Sequence, residues 1–223
     1  MTMNIAKDDT GVFSDTQIIS GVSDGRLSIV PFNMKQLSTS SYDVRLGENF
    51  YREQEPELPG DVFNILDPEH VGRVWGKPQV ARTAADLGID HLKGINEEDL
   101  VIMLGPGETI LAHTEEFIGA RHSGTTMMKA RSSLGRSFVL VCKCAGWGDI
   151  GYTNRWTMEI TNVSRHYRIP LVVGMRIAQI AFFHSGRLLS GDYTERGNYQ
   201  QSDNVESLIN NWSPESMLPK TRK

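Results

Sequence analysis

The sequence predicts a mainly β fold, closed as a β-barrel or a double sheet and carrying only short helices. Apolar runs such as Leu100-Val101-Ile102-Met103-Leu104 and Leu171-Val172-Val173 are brief and bounded by Gly and Pro turn signals. They recur at roughly 8–12-residue spacing, the rhythm of strands in sandwiches and barrels. There is no alternation of strands with long helical patterns and no internal repeat, so a parallel sheet is not expected.

Taken in order, residues 1–12 read as a loose polar tail. Ser14-Asp15-Thr16-Gln17 has the form of a capping box, and Ile18, Ile19 and Val22 give a short helix one apolar face, with Gly25 as its stop. Leu27-Ser28-Ile29-Val30 alternates and ends at Pro31, as a strand does. Residues 40–51 read as strand, turn at Gly47, strand. Between 52 and 99 the prolines and glycines break every period. That stretch is expected as an extended surface excursion with local structure, including a helical turn over 83–87. Strands then follow at 100–104, 109–112 and 116–118. After a central stretch come 171–173, a Gly174 turn and 177–183. The organisation expected is thus a tail (1–12), a β domain (13–190) and a mobile C-terminal arm (191–223) with isolated Tyr193, Tyr199 and Trp212.

A chain of 223 residues with 39% hydrophobic and 22% charged residues is long enough and ordinary enough to bury a real core. A net charge of −4 argues against broad nucleic-acid coating, while leaving room for a local basic pocket. No apolar run approaches the roughly 20 residues of a membrane span. Cys142 and Cys144 are one residue apart and form no disulfide framework, which points to a reducing, cytoplasmic compartment.

The chemistry concentrates between Met128 and Phe183. Arg131-Ser132-Ser133-Leu134-Gly135-Arg136 is a basic, hydroxyl-bearing turn, and guanidinium forks suit phosphate oxygens. Arg155-Trp156-Thr157-Met158-Glu159-Ile160 alternates like a strand and carries a lone carboxylate. Its residues alone leave Glu159 open between a solvent-facing strand acid and a general base in a partly dry pocket. His113-Thr114-Glu115 has the H-x-E form of zinc-dependent nucleobase deaminases, which also need P-C-x-x-C. Cys142-Lys143-Cys144 has the wrong spacing and lacks the Pro, so catalytic zinc is rejected and core packing is expected for both thiols.

Four central segments together resemble the dCTP deaminases of the dUTPase-like superfamily. They are Arg131-Ser132-Ser133-Leu134-Gly135-Arg136, Ala145-Gly146-Trp147-Gly148-Asp149-Ile150-Gly151-Tyr152, Thr157-Met158-Glu159-Ile160-Thr161-Asn162, and Pro170-Leu171-Val172-Val173-Gly174-Met175-Arg176-Ile177-Ala178-Gln179. Ser41-Tyr42-Asp43-Val44-Arg45-Leu46-Gly47 fits as well. The resemblance implies a distorted, jelly-roll-like β-barrel assembled as a homotrimer with active sites shared between chains. It implies conversion of dCTP to dUTP and ammonia, with Glu159 as general base and Ser132 and Arg136 beside the base and its attacking water. Arg131, Ser133, Ala145, Asp149, Tyr152, Thr157, Tyr193 and Gln201 are expected to bind substrate: Ser133 toward the phosphates, Asp149 at the deoxyribose 3′-hydroxyl, Tyr152 near the sugar. Mg²⁺ accompanies the triphosphate.

The small pair Ala145-Gly146 resembles members that carry dUTP on to dUMP and pyrophosphate, the alternative reading. A catalytically silent nucleotide-binding regulator is a third. The arm departs from the family: Asn198 stands where a Lys is expected, and the Gln spacing does not match.

Overall fold

The computed structural model describes residues 11–121, 124–186, 188–189, 191–200, 202 and 204–221. Helix α1 (Asp15–Ser23) starts where the capping box lies: Gln17 N–H donates to Ser14 Oγ, and Ser14 N–H donates back to the Gln17 side chain at 2.9 Å. Gly25, in the left-handed region at φ 81°, turns the chain into β1 (Leu27–Val30). A 3₁₀ turn (Met34–Gln36) leads to β2 (Tyr42–Arg52). The excursion holds α2 (Pro68–Trp75), β3 (Gln79–Val80) and β4 (Arg82–Thr83), with a turn over 84–88. Then come β5 (Leu100–Leu104), β6 (Thr109–Ala120) and β7 (Gly124–Ala130). The basic turn forms α3 (Ser132–Arg136), followed by β8 (Val139–Leu140), β9 (Trp147–Gly148) and β10 (Thr153–Asn162). Strands β11 (Ile169–Val172) and β12 (Arg176–His184) complete the β region, and α4 (Tyr193–Arg196), α5 (Val205–Asn211) and a 3₁₀ turn (Pro214–Met217) follow.

All pairing is antiparallel. The main sheet curls in the order β8-β10-β6-β2-β12-β7-β9, with β1 added on β6 and β3 on β2; β11-β5-β4 form a smaller sheet. The core lies inside the curl, around Tyr42, Val44, Leu46, Ile110, Ile118, Met158, Ile160, Ile180 and Phe182. Val12 bridges to Phe183 and Phe13 is buried, so the sheet begins inside the stretch expected as tail. Among the described residues, no helix is long and apolar enough to cross a membrane.

Two expectations are corrected here. The two short strands expected at 109–112 and 116–118 are one strand, β6, which pairs with β10 along one edge and with β2 and then β1 along the other. Gly47 makes no turn, since β2 runs through it with a register irregularity between Leu46 and Phe50. A Cβ there would lie 2.0 Å from the His113 ring, so the glycine clears space for a buried imidazole. Period-2 patterning does not reveal such a need, because the constraint comes from a residue on the neighbouring strand.

His113 is 1% exposed and both ring nitrogens face backbone: Nδ1 lies 2.8 Å from the Thr114 carbonyl, and Nε2 accepts from Asn49 N–H at 3.3 Å. Burial, helped by the nearby Arg155 charge, lowers its pKa to about 4. Between that value and the ordinary 6.5, the unfolded chain binds a proton that the folded chain does not. The stabilising contribution is therefore complete above pH 6.5 and lost as the pH falls through 4. Denaturant unfolding should show wild-type protein losing roughly 3 kcal/mol more between pH 7 and pH 4 than a His113→Gln variant does.

Candidate active site

Strand β10 sorts its side chains by alternation. Trp156, Met158 and Ile160 point into the core, while Arg155, Thr157 and Glu159 face the other way and are partly exposed. The register on β6 pairs Glu159 with Leu111 and Thr157 with His113. Over this outer face lies the C-terminal segment. Met217 packs with Leu111 and Tyr51 in a second apolar cluster, and Trp212 sits with its ring 4.5 Å from that of His113. Leu208 and Met217 are buried, so the segment expected as a mobile arm is folded onto the sheet. Burying one such side chain contributes about 1.5–3 kcal/mol, comparable to the cost of ordering roughly one or two residues, so the segment depends on its hydrogen bonds and aromatic contacts as well.

Between strand and segment is a cavity of about 360 Å³. Glu159, Thr157, Tyr152, Ala145, Asp149 and Tyr193 all line it, six of the residues expected at the site. Glu159 Oε2 is shielded from solvent and has no hydrogen-bond partner among the described residues. Ala145 reaches the wall because Gly146 packs directly on β7: Met128 N–H donates to the Gly146 carbonyl at 2.7 Å, and a Cβ at Gly146 would meet the Met128 carbonyl at 2.3 Å. The Tyr152 ring stands edge-on to Trp156 at 5.3 Å and to Tyr193 at 5.1 Å. Burial pushes the Tyr152 phenol above its ordinary range, which keeps it neutral.

The basic turn is placed elsewhere. Ser132, Ser133 and Arg136 on α3 are exposed and do not line this cavity in a single chain. Arg131, at the N-cap of α3, forms an ion pair with the buried carboxylate of Asp43, which Arg176 also approaches at 3.3 Å. Gln201 lies outside the described residues. Its neighbour Gln200 is buried and ties the arm to the site's strand: its Oε1 accepts from Thr153 N–H at 2.6 Å, and its Nε2 donates to the Gly151 carbonyl at 3.0 Å. Asn154 Nδ2 donates to the Tyr199 carbonyl at 2.8 Å. Sequence reading missed Arg155, Asn154 and Gln200. Arg155 alone carried a usable signal, since it lies in phase with Glu159 on one strand. The Cys142 thiol faces Met128 and burial pushes its pKa up to about 12, as befits a packed core group, whereas Cys144, expected in the core as well, is exposed in the turn that follows.

The curled antiparallel sheet thus carries a carboxylate-bearing cavity beneath its C-terminal segment. Residues 12–185 match the family model described as dCTP deaminase-like, and the chain belongs to that family. A relative from Acidothermus cellulolyticus named "dCTP deaminase, dUMP-forming" is 31% identical over 174 residues, covering 78% of this chain and 80% of its own. One of the same name from Halobacterium salinarum is 28% identical over 200 residues, covering 88% and 93%. The crystal structure of 2′-deoxycytidine 5′-triphosphate deaminase from Agrobacterium tumefaciens superposes with a TM-score of 0.55 at 21% identity. It covers 82% of this chain, which spans about half (51%) of that one, and the likeness is one of fold.

Removing the Gln200 side chain leaves the Thr153 amide and Gly151 carbonyl buried without their partner. Gln200→Ala should lower the unfolding free energy by about 1–3 kcal/mol in urea titrations, with the arm becoming more sensitive to limited proteolysis.

Proposed function

We propose that this protein deaminates dCTP hydrolytically and carries the product on to dUMP and pyrophosphate. The observation that carries the first step is the unpartnered, shielded oxygen of Glu159 inside a cavity with room for a pyrimidine. Glu159 takes a proton from water as the oxygen adds to C4 of cytosine. It passes that proton to N3 of the ring, then moves the proton of the new C4 hydroxyl to the amino group, which leaves as ammonia as the C4 carbonyl forms. General acid–base catalysis of this kind contributes about 10²–10⁴-fold. Asp149 receives the 3′-hydroxyl, Tyr152 and Tyr193 flank the sugar, and Thr157 lies beside the base.

The second step is favoured over release of dUTP by two observations. Named relatives are dUMP-forming, and the cavity wall at residue 145 is a small alanine held close to β7. Mg²⁺ enters with the substrate, held by the triphosphate oxygens.

Ser132, Ser133 and Arg136 are exposed on α3 and do not line the cavity of their own chain. We therefore assign them to a neighbouring subunit's site in a homotrimer, where their hydroxyl and guanidinium donors meet water and phosphates.

Incubation with dCTP and Mg²⁺ followed by chromatography of the products should yield dUMP and pyrophosphate. Accumulation of dUTP would confine the enzyme to the first step, and binding without turnover would make it a nucleotide-binding regulator. Glu159→Gln should abolish ammonia release while retaining dCTP binding; undiminished ammonia release from that variant would remove the mechanism. Arg136→Ala should lower kcat/KM, with sedimentation establishing that the oligomer is intact.

A further inference from the structure

Arg155 is a cation in the same cavity as Glu159, and among the described residues no carboxylate pairs with it. Its charge rests between two aromatic faces: the guanidinium carbon lies 5.1 Å from the centre of the Phe117 ring and 4.7 Å from that of Trp212. Ring faces attract the cation but leave its in-plane N–H donors unused. Nε is buried and has no hydrogen-bond partner. Arginine does not escape this by losing its proton, so a charged donor fork with an unmet bond faces a partly desolvated cavity. Such a group binds oxyanions strongly, and phosphate oxygens match the fork's geometry.

Its position fits one part of the proposed substrate. Arg155 and Glu159 lie on one face of β10, four residues or about 13 Å of strand apart. With cytosine C4 at Glu159, a nucleotide extended along the strand brings its charged tail toward Arg155. We propose that Arg155 is a triphosphate contact of this cavity, oriented by Trp212 from the C-terminal segment. It supplies the cation that the arm lacks at Asn198. This rests on the deaminase reading for the identity of the nucleotide, but not for the affinity of the site for polyphosphate.

Calorimetry with inorganic triphosphate on the full chain tests the contact without turnover. Arg155→Met should weaken binding by about tenfold to a hundredfold, and Arg155→Lys, which keeps the charge but not the fork, by less. Circular dichroism melts identify any variant that fails to fold, and the lysine variant then carries the test. In kinetics, Arg155→Met should collapse the preference in kcat/KM for dCTP over deoxycytidine.

Equal triphosphate affinity in wild type and both variants, or no binding by wild type, would overturn the proposal. So would an equal loss on dCTP and deoxycytidine, which would make Arg155 a base contact. If wild type turns over neither nucleotide, the deaminase reading fails while the calorimetry still decides the role of Arg155.

Discussion

The register of β10 on β6 is the constraint from which the site follows. Glu159 stands opposite Leu111 and Met158 opposite Ala112. A slip of one residue would turn Trp156, Met158 and Ile160 outward and drive Arg155 and Glu159 into an apolar core. Burying two charges without partners would cost several kcal/mol each, far more than any local strain. The apolar side of the strand therefore holds the outward-facing side in place. The register irregularity falls between Arg155 and Thr157, where two residues of β10 span four of β6, and the Trp156 N–H there donates to Thr114 Oγ1 at 2.9 Å.

Position alone does not make a carboxylate catalytic; its surroundings do. Without the C-terminal segment, Glu159 would be a strand acid facing water. Trp212, Met217 and the Gln200 anchor bring a second wall across the open face and enclose it. The same wall sets Trp212 on Arg155, so one segment conditions both charged ends of the row. His113 underlies this arrangement. Its ring supports Trp212, occupies the space left by Gly47, and is held neutral by burial.

Two buried carboxylates organise the other side of β2. Glu116 is fully buried and accepts from both the backbone N–H and the Nε of Arg45, at 2.9 and 2.7 Å. Burial pushes its carboxyl above the ordinary range, with Arg45 drawing it back. Asp43 gathers Arg131 and Arg176 from the flanks of β7 and β12. Pairs of this kind add little net stability against an apolar alternative. They do fix which strands meet, and Asp43 holds the start of α3, the turn that displays Ser132, Ser133 and Arg136.

Much of this molecule is legible in its residue order because it depends on local periodicity and local chemistry. Alternation marked β1 and β10, the Ser14–Gln17 capping box marked α1, and the run of motifs marked the family; none of these needs knowledge of a distant partner. Glu159, Ala145, Asp149, Tyr152, Thr157 and Tyr193 could be named only through the resemblance that those motifs carry. Long-range packing decided the remainder. Gly47 looked like a turn because its reason for being glycine is an imidazole 66 positions away. The arm looked mobile because its few apolar residues are isolated in sequence and find each other's company only on the outer face of β6 and β10. Arg155 gained its setting from Phe117 and Trp212, and Gln200 its anchoring role from backbone groups nearly fifty residues back. Such contacts arise only when the sheet curls, since a side chain's environment is set by what the fold brings to it.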